Sequence, residues 1–152
     1  MPLGYYNDEA KTRATFAEID GERWVMPGDL ATIDADGTII VFGRGTMCIN
    51  TGGEKVYPEE VEAALKANPS VFDAVVVGVP DERWGERVSA LVQLRPGLGD
   101  SPDDVRAHAR TKVAGYKVPR DVHFVDEIAR QPSGKPDYPW AKALATKLSE
   151  DR

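Results

Sequence analysis

At Gly43-Arg44-Gly45 the chain changes its hydrophobic period, and that change constrains the fold more than any other feature of the sequence. On the N-terminal side, from Thr15 to Phe42, every signal is β. Phe16-Ala17-Glu18-Ile19 and Arg23-Trp24-Val25 flank Asp20-Gly21, two residues that tolerate the positive φ of a tight hairpin turn. Leu30-Ala31-Thr32-Ile33 and Thr38-Ile39-Ile40-Val41-Phe42 flank Asp34-Ala35-Asp36-Gly37 in the same way. Two isolated hairpins bury too little apolar surface to stand alone, so residues 1–43 read as the β-rich edge of something larger.

Beyond Gly45 the period becomes mixed. Tyr57 to Ala67 predicts a helix, with Pro58 in its first turn, acidic residues beside it, and Val61, Ala64 and Leu65 on one face before Pro69 ends it. Val71–Val79 and Val88–Leu94 are valine-rich strands separated by a polar segment. Ser101-Pro102-Asp103-Asp104 opens a second helix with a serine cap, and Val122 to Ile128 makes a third strand. Trp140, Leu144 and Leu148, spaced by four, define a closing helix. The order α-β-β-α-β-α over residues 47–152 is an α+β domain with a three-stranded sheet and flanking helices. Residues 44–46 join the two parts. Glycines on both sides of Arg44 suit either a hinge or a short static connector.

Charge and composition remove several function classes. The 19 Lys+Arg against 25 Asp+Glu give a net charge of −6 over 152 residues, the wrong sign for a nucleic-acid binder. One cysteine, Cys48, cannot close an internal disulfide, which suits a reducing compartment. His108 and His123 sit on different elements without Cys or His neighbours, so no metal site is expected. No apolar run approaches the roughly 18–20 residues of a transmembrane helix, and no basic segment followed by an apolar one opens the chain. The expectation is a cytoplasmic protein.

Single candidates are weak. Lys135, in Gln131-Pro132-Ser133-Gly134-Lys135-Pro136, is either a solvated loop lysine or a cation delivered to an anionic reacting group; the spacing is not that of a Walker loop. Gly52-Gly53 is either an ordinary hairpin turn or a place where backbone N–H groups or a narrow ligand meet the main chain. Asp29 could bind a vicinal diol, and Arg44 a phosphate, but both residue types are common in turns and linkers. Trp24 and Trp140 read as packing residues, while Trp84, between Arg83 and Gly85, is either a loop anchor or an exposed contact.

Taken in order, the signals are specific. Gly28-Asp29-Leu30, Asp36-Gly37, the run from Gly43-Arg44-Gly45-Thr46 through Thr51-Gly52-Gly53-Glu54-Lys55-Val56-Tyr57-Pro58-Glu59-Glu60-Val61-Glu62, Gly115-Tyr116-Lys117-Val118-Pro119, and Pro132-Ser133-Gly134-Lys135 together resemble the C-terminal part of the adenylate-forming superfamily. The wording is most similar to its fatty-acyl or aryl CoA ligases. The resemblance implies a reaction in which a carboxylic acid and ATP, with Mg2+, give acyl-adenylate and pyrophosphate, after which the thiol of CoA displaces AMP. It implies a small lid domain that swings between the two steps. By the same resemblance Lys135 is the catalytic cation of the first step, and Asp29 and Arg44 hold the nucleotide ribose. Gly52, Gly53 and Glu54 line the CoA thiol channel, and Lys55 meets the CoA phosphates. The usual hinge position falls on Thr46, where the family often has Asp or Lys. The family's large N-terminal domain, with its phosphate loop and acyl pocket, has no counterpart in this sequence, so a fragment that is inactive alone is expected. Two alternatives stand beside it: a standalone module docking on a separate subunit, and the lid of a peptide-synthetase adenylation domain served by a carrier protein.

Overall fold

The computed structural model describes residues 2–26, 28–44 and 47–150. The chain divides into two compact units, Met1–Gly45 and Thr46–Arg152. The first holds a short helix, α1 (Glu9–Thr15), and two separate two-stranded sheets. In one, β1 (Phe16–Ile19) pairs with β2 (Glu22–Val25) around Asp20 and Gly21, both at positive φ. In the other, β3 (Asp29–Ile33) pairs with β4 (Ile39–Arg44), with a register shift between Leu30 and Ala31. The helix α1 has no counterpart among the expected elements. Its signal is local: Asp8 accepts a hydrogen bond from the Lys11 N–H and caps a helix that buries no residue. Strands β2 and β3 are exposed along their whole length, Ile33 at the end of β3 being 71% exposed, and Ile39 at the start of β4 is 64% exposed.

The second unit is α+β, as expected, but its sheet has five strands rather than three. The extra pair is the hairpin β5 (Ile49–Thr51) and β6 (Glu54–Val56), three residues each and too short to show a period. After α2 (Pro58–Lys66) come β7 (Val71–Asp81) and β8 (Gly85–Leu94), which run antiparallel in unbroken register from Asp73↔Gln93 to Asp81↔Gly85. Both outrun their expected ends, because Asp81 accepts the Arg83 and Trp84 N–H groups and folds the polar segment into a tight hairpin. Then follow α3 (Pro102–Arg110), a 3-10 turn (Gly115–Lys117), β9 (Asp121–Phe124) and α4 (Tyr138–Glu150). Strand β9 lies parallel to β8 and is shorter than its sequence signal; Ile128 is buried beyond its end.

The valine runs are continuous because β7 and β8 are covered on both faces. Ala74, Val76, Val88, Ala90 and Val92 point to one side, against Val61 and Leu65 of α2 and Val105 and Ala109 of α3. Val75, Val77, Val79 and Leu91 point to the other, against Ala141 and Ala145 of α4, with Trp140, Leu144 and Leu148 packed at its margin. The period of two thus sorts one strand pair into two cores. The N-terminus of α3 carries the expected cap: Ser101 Oγ accepts from the Asp104 N–H, and the Asp104 carboxylate accepts from the Ser101 N–H. Among the described residues no helix is long and apolar enough to cross a membrane.

Leu91 is fully buried under α4. Leu91→Ala should lower the unfolding free energy in urea by about 2–5 kcal/mol, whereas Ile33→Ala, at an exposed position, should change it by no more than about 0.5 kcal/mol.

Candidate functional site

Lys135 stands at the end of an exposed loop between β9 and α4. The loop closes on itself: the Gly134 N–H donates to the Gln131 carbonyl at 2.8 Å and the Gln131 N–H to the Lys135 carbonyl at 2.8 Å. Gly134, at φ 81°, supplies the left-handed step that this closure needs. The Lys135 ammonium has no hydrogen-bond or ion-pair partner among the described residues, although other cations of the same unit are paired. Lys142 reaches Glu86 at 3.0 Å, Lys117 both oxygens of Glu60 at 2.7 Å, and Arg130 the carboxylate of Asp73.

Behind the loop, a largely apolar cavity of about 440 Å³ is lined by Gln131, Tyr138 and Lys142 together with Cys48, Gly78 and Glu86. Under it lies a buried polar pair. The Glu62 carboxylate accepts the Val76 N–H at 3.0 Å and the Tyr138 hydroxyl at 3.1 Å, both on Oε1. Burial raises the Glu62 carboxyl above its ordinary 4.5, with the Glu59 charge adding to the shift and Lys66 and the two hydrogen bonds opposing it. Burial and the same carboxylate push the Tyr138 phenol well above its usual range.

Gly52 and Gly53 form the two-residue turn of β5–β6, with φ of 60° and 89° as a primed turn requires. The Gly52 N–H donates to the Trp84 carbonyl at 2.9 Å, so it is committed within the domain and is not open to an anion. The steric constraint also falls on Gly52: a Cβ there would come within 2.5 Å of the Trp84 ring, while one on Gly53 would meet nothing. Trp84 is half-buried, with the guanidinium of Arg83 4.7 Å and that of Arg120 5.0 Å from its ring centre. It lines a second cavity, of about 450 Å³, with Gly52, Glu54, Tyr116, Arg106, Arg110 and Arg120. Three arginines converge there in a chain of net charge −6. Lys55 is exposed on β6 and lies outside this lining.

In the first unit, Asp29 is exposed and faces Arg44 across the β3–β4 register. Thr46, the expected hinge residue, lies outside the described residues. The site residues read from the sequence therefore form three groups: Asp29 with Arg44, Gly52–Lys55 beside the arginine cavity, and Lys135 beside the apolar one. Arg106, Arg110 and Arg120 were not singled out by sequence; their signal was the i, i+4 spacing on α3 and the position of Arg120 directly after the Tyr116–Pro119 segment. Among the described residues no group of three His, Cys, Asp or Glu side chains could hold a metal ion.

Residues 60–135, half of the chain, match the family of the AMP-binding enzyme C-terminal domain. The chain belongs to that family. Over 142 residues it is 66% identical to a 3-oxocholest-4-en-26-oate–CoA ligase of Rhodococcus rhodochrous, covering 93% of this chain and 26% of that protein. The structure is similar to that of the amide bond synthetase McbA from Marinactinospora thermotolerans, with a TM-score of 0.82 and 35% identity over 93% of this chain and 28% of that one. It is similar also to o-succinylbenzoate CoA synthetase (MenE) from Bacillus subtilis in complex with its acyl-adenylate intermediate, with a TM-score of 0.80 and 32% identity over 91% of this chain and 28% of that one. Like its family, the chain corresponds to the C-terminal domain of acyl-CoA ligases, and it spans about a quarter of the length of the curated relative.

Two outcomes follow from this geometry. Because the folded state holds the Glu62 proton more tightly than the unfolded chain, its ionisation weakens the fold as pH rises above 4.5. Glu62→Gln keeps an Oε1 acceptor for both donors, so it should raise the Tm at pH 8 and lose that advantage as pH falls toward 4.5. Gly52→Ala should shift the Trp84 indole and Arg120 resonances in NMR spectra, whereas Gly53→Ala should leave them in place while costing about 1–2 kcal/mol for its left-handed backbone.

Proposed function

We propose that this chain acts as the C-terminal lid of an ATP-dependent, AMP-forming acyl-CoA synthetase. The carboxylate of an acid attacks the α-phosphate of ATP, giving acyl-adenylate and expelling pyrophosphate; CoA thiol then attacks the acyl carbon, forming the thioester and releasing AMP. The observation that carries this reading is Lys135: a cation held on a closed loop, exposed, and unpaired among the described residues. Two anions repel each other as carboxylate and triphosphate meet, and a preplaced ammonium offsets that repulsion where charge builds up. Asp29 is assigned to the ribose hydroxyls and Arg44 to the ribose edge, with residues 44–46 as the hinge between the two units.

The second step is assigned to Gly52–Lys55 and the cavity beside them. CoA carries phosphates and an adenine at the end remote from its thiol. Arg110 and Arg120 in the cavity lining suit phosphate, Arg106 being held by Asp103 and the Arg120 carbonyl, and the exposed ring of Tyr116 suits a base. Lys55 is assigned to the outer phosphates. The two loops line different cavities, which supports a lid that presents a different face in each step. The phosphate-suited lining also favours CoA over an amine acceptor. Mg2+ enters as the companion of ATP, and its ligands are assigned to ATP and to the remainder of the larger ligase.

A hybrid tests this: the Rhodococcus ligase with its matching quarter replaced by this chain. The hybrid should form the thioester of 3-oxocholest-4-en-26-oate. Lys135→Ala in it should slow pyrophosphate release by about 10²–10³-fold while thioester formation from supplied acyl-adenylate changes little. Equal loss in both steps would overturn the role of Lys135.

A further inference from the structure

Lys135 can act on a reacting group only if its loop stands in one place, yet residues 131–135 are all exposed. The two backbone bonds described above close the loop without tying it to the domain. At the loop's base, Arg130 bridges to Pro136 and the Asp137 N–H donates to the Ala129 carbonyl at 3.0 Å, which fixes the loop's stem but not its tip. Among the described residues a single side chain reaches the tip. One terminal nitrogen of Arg130 donates to the carbonyl of Gly134 at 2.7 Å, and the other donates to the carboxylate of Asp73.

Asp73 is a fixed point. It is 7% exposed, it sits in the sheet at the register irregularity near the start of β7, and its second oxygen accepts the Ala74 N–H at 2.9 Å. A carboxylate buried there holds a guanidinium strongly, because its own removal from water is offset only by such partners. The planar fork of Arg130 therefore spans from the central sheet to the peptide immediately before Lys135.

We infer that Arg130, anchored by Asp73, is the positioning residue that sets where the Lys135 ammonium stands during adenylation. The inference rests on the role of Lys135 proposed above. Lysine cannot substitute: a single ammonium on a flexible stem can meet Asp73 but does not span rigidly to the Gly134 carbonyl as well. Misplacing a reacting group by about 1 Å costs on the order of 10²-fold in rate, so loosening the loop should appear in the step that uses Lys135 and not in the other.

The decisive variant is Arg130→Lys in the hybrid ligase, since it keeps a cation on buried Asp73 and so preserves the fold. It should lower kcat for pyrophosphate release by about 10²-fold, leave the KM values for ATP and acid within a few-fold, and leave thioester formation from supplied acyl-adenylate unchanged. In the chain by itself, 15N relaxation should show Ser133, Gly134 and Lys135 gaining fast motion while β7 does not. Asp73→Asn, which weakens the anchor and keeps its shape, should lower adenylation in the same direction. Native adenylation in Arg130→Lys, beside a crippled Lys135→Ala, would overturn this inference and leave the role of Lys135 standing. Equal loss in both steps would also overturn it, since a general structural defect acts on both. Native adenylation in Lys135→Ala would sink both readings together.

Discussion

The antiparallel pairing of β7 with β8 is the constraint on which the rest of the second unit depends. Ten- and eleven-residue strands in one register supply two apolar faces at once. Each face decides what can cover it: α2 and α3 on one side, α4 on the other. Both loops to which a role is assigned are interruptions of that arrangement. The Gly52-Gly53 turn is hung on the end of β8 through Thr51↔Gly85, and the Lys135 loop is the link that carries the chain from β9 to α4. A sheet covered on both sides is stiff because its side chains are close-packed. Loops hung from it inherit defined positions with few bonds of their own.

Charge is used sparingly, and each use is local. Arg87 joins Asp121, the first residue of β9, and Asp81, the last residue of β7, tying the start of the parallel strand to the hairpin. Lys117 clasps Glu60 and fixes the 3-10 turn against the first turn of α2. Asp73 and Arg130 do the same for the lysine loop. These pairs are partly buried, so they are screened less by salt than surface pairs would be. Lys135 and Arg110 have no such partner among the described residues, and each stands where an anionic ligand is proposed.

Much of this was legible in the sequence, for physical reasons. The start of α2 is written in its first-turn proline, Pro58, and that of α3 in the Ser101 cap and Pro102, local chemistry that tertiary context seldom overrides. The two valine runs are long enough for their identity as strands to be unmistakable. What escaped detection was short or non-local. The Gly52-Gly53 turn was readable as a hairpin turn, but its strands β5 and β6 have three residues each and α1 buries nothing, so none of them leaves a period. The partnership of Arg130 with Asp73 joins positions 57 residues apart, and no spacing rule connects them. Gly52 and Gly53 look interchangeable as letters. Only the Trp84 ring, 32 positions on, distinguishes the glycine where a side chain would clash from the one where it would meet open space.

The bare strands of the first unit have a practical corollary. Trp24, Ile33, Ile39 and Val41 all show more than half of their surface to water on narrow two-stranded ribbons, and unpaired ribbon edges invite stacking with like edges. Handled at high concentration, or in sulfate-rich buffer that strengthens apolar association, such a segment is a seed for colloidal precipitation. Dilute samples, a mild detergent or a solubilising fusion ahead of Met1 are the sensible conditions for bench work on this polypeptide.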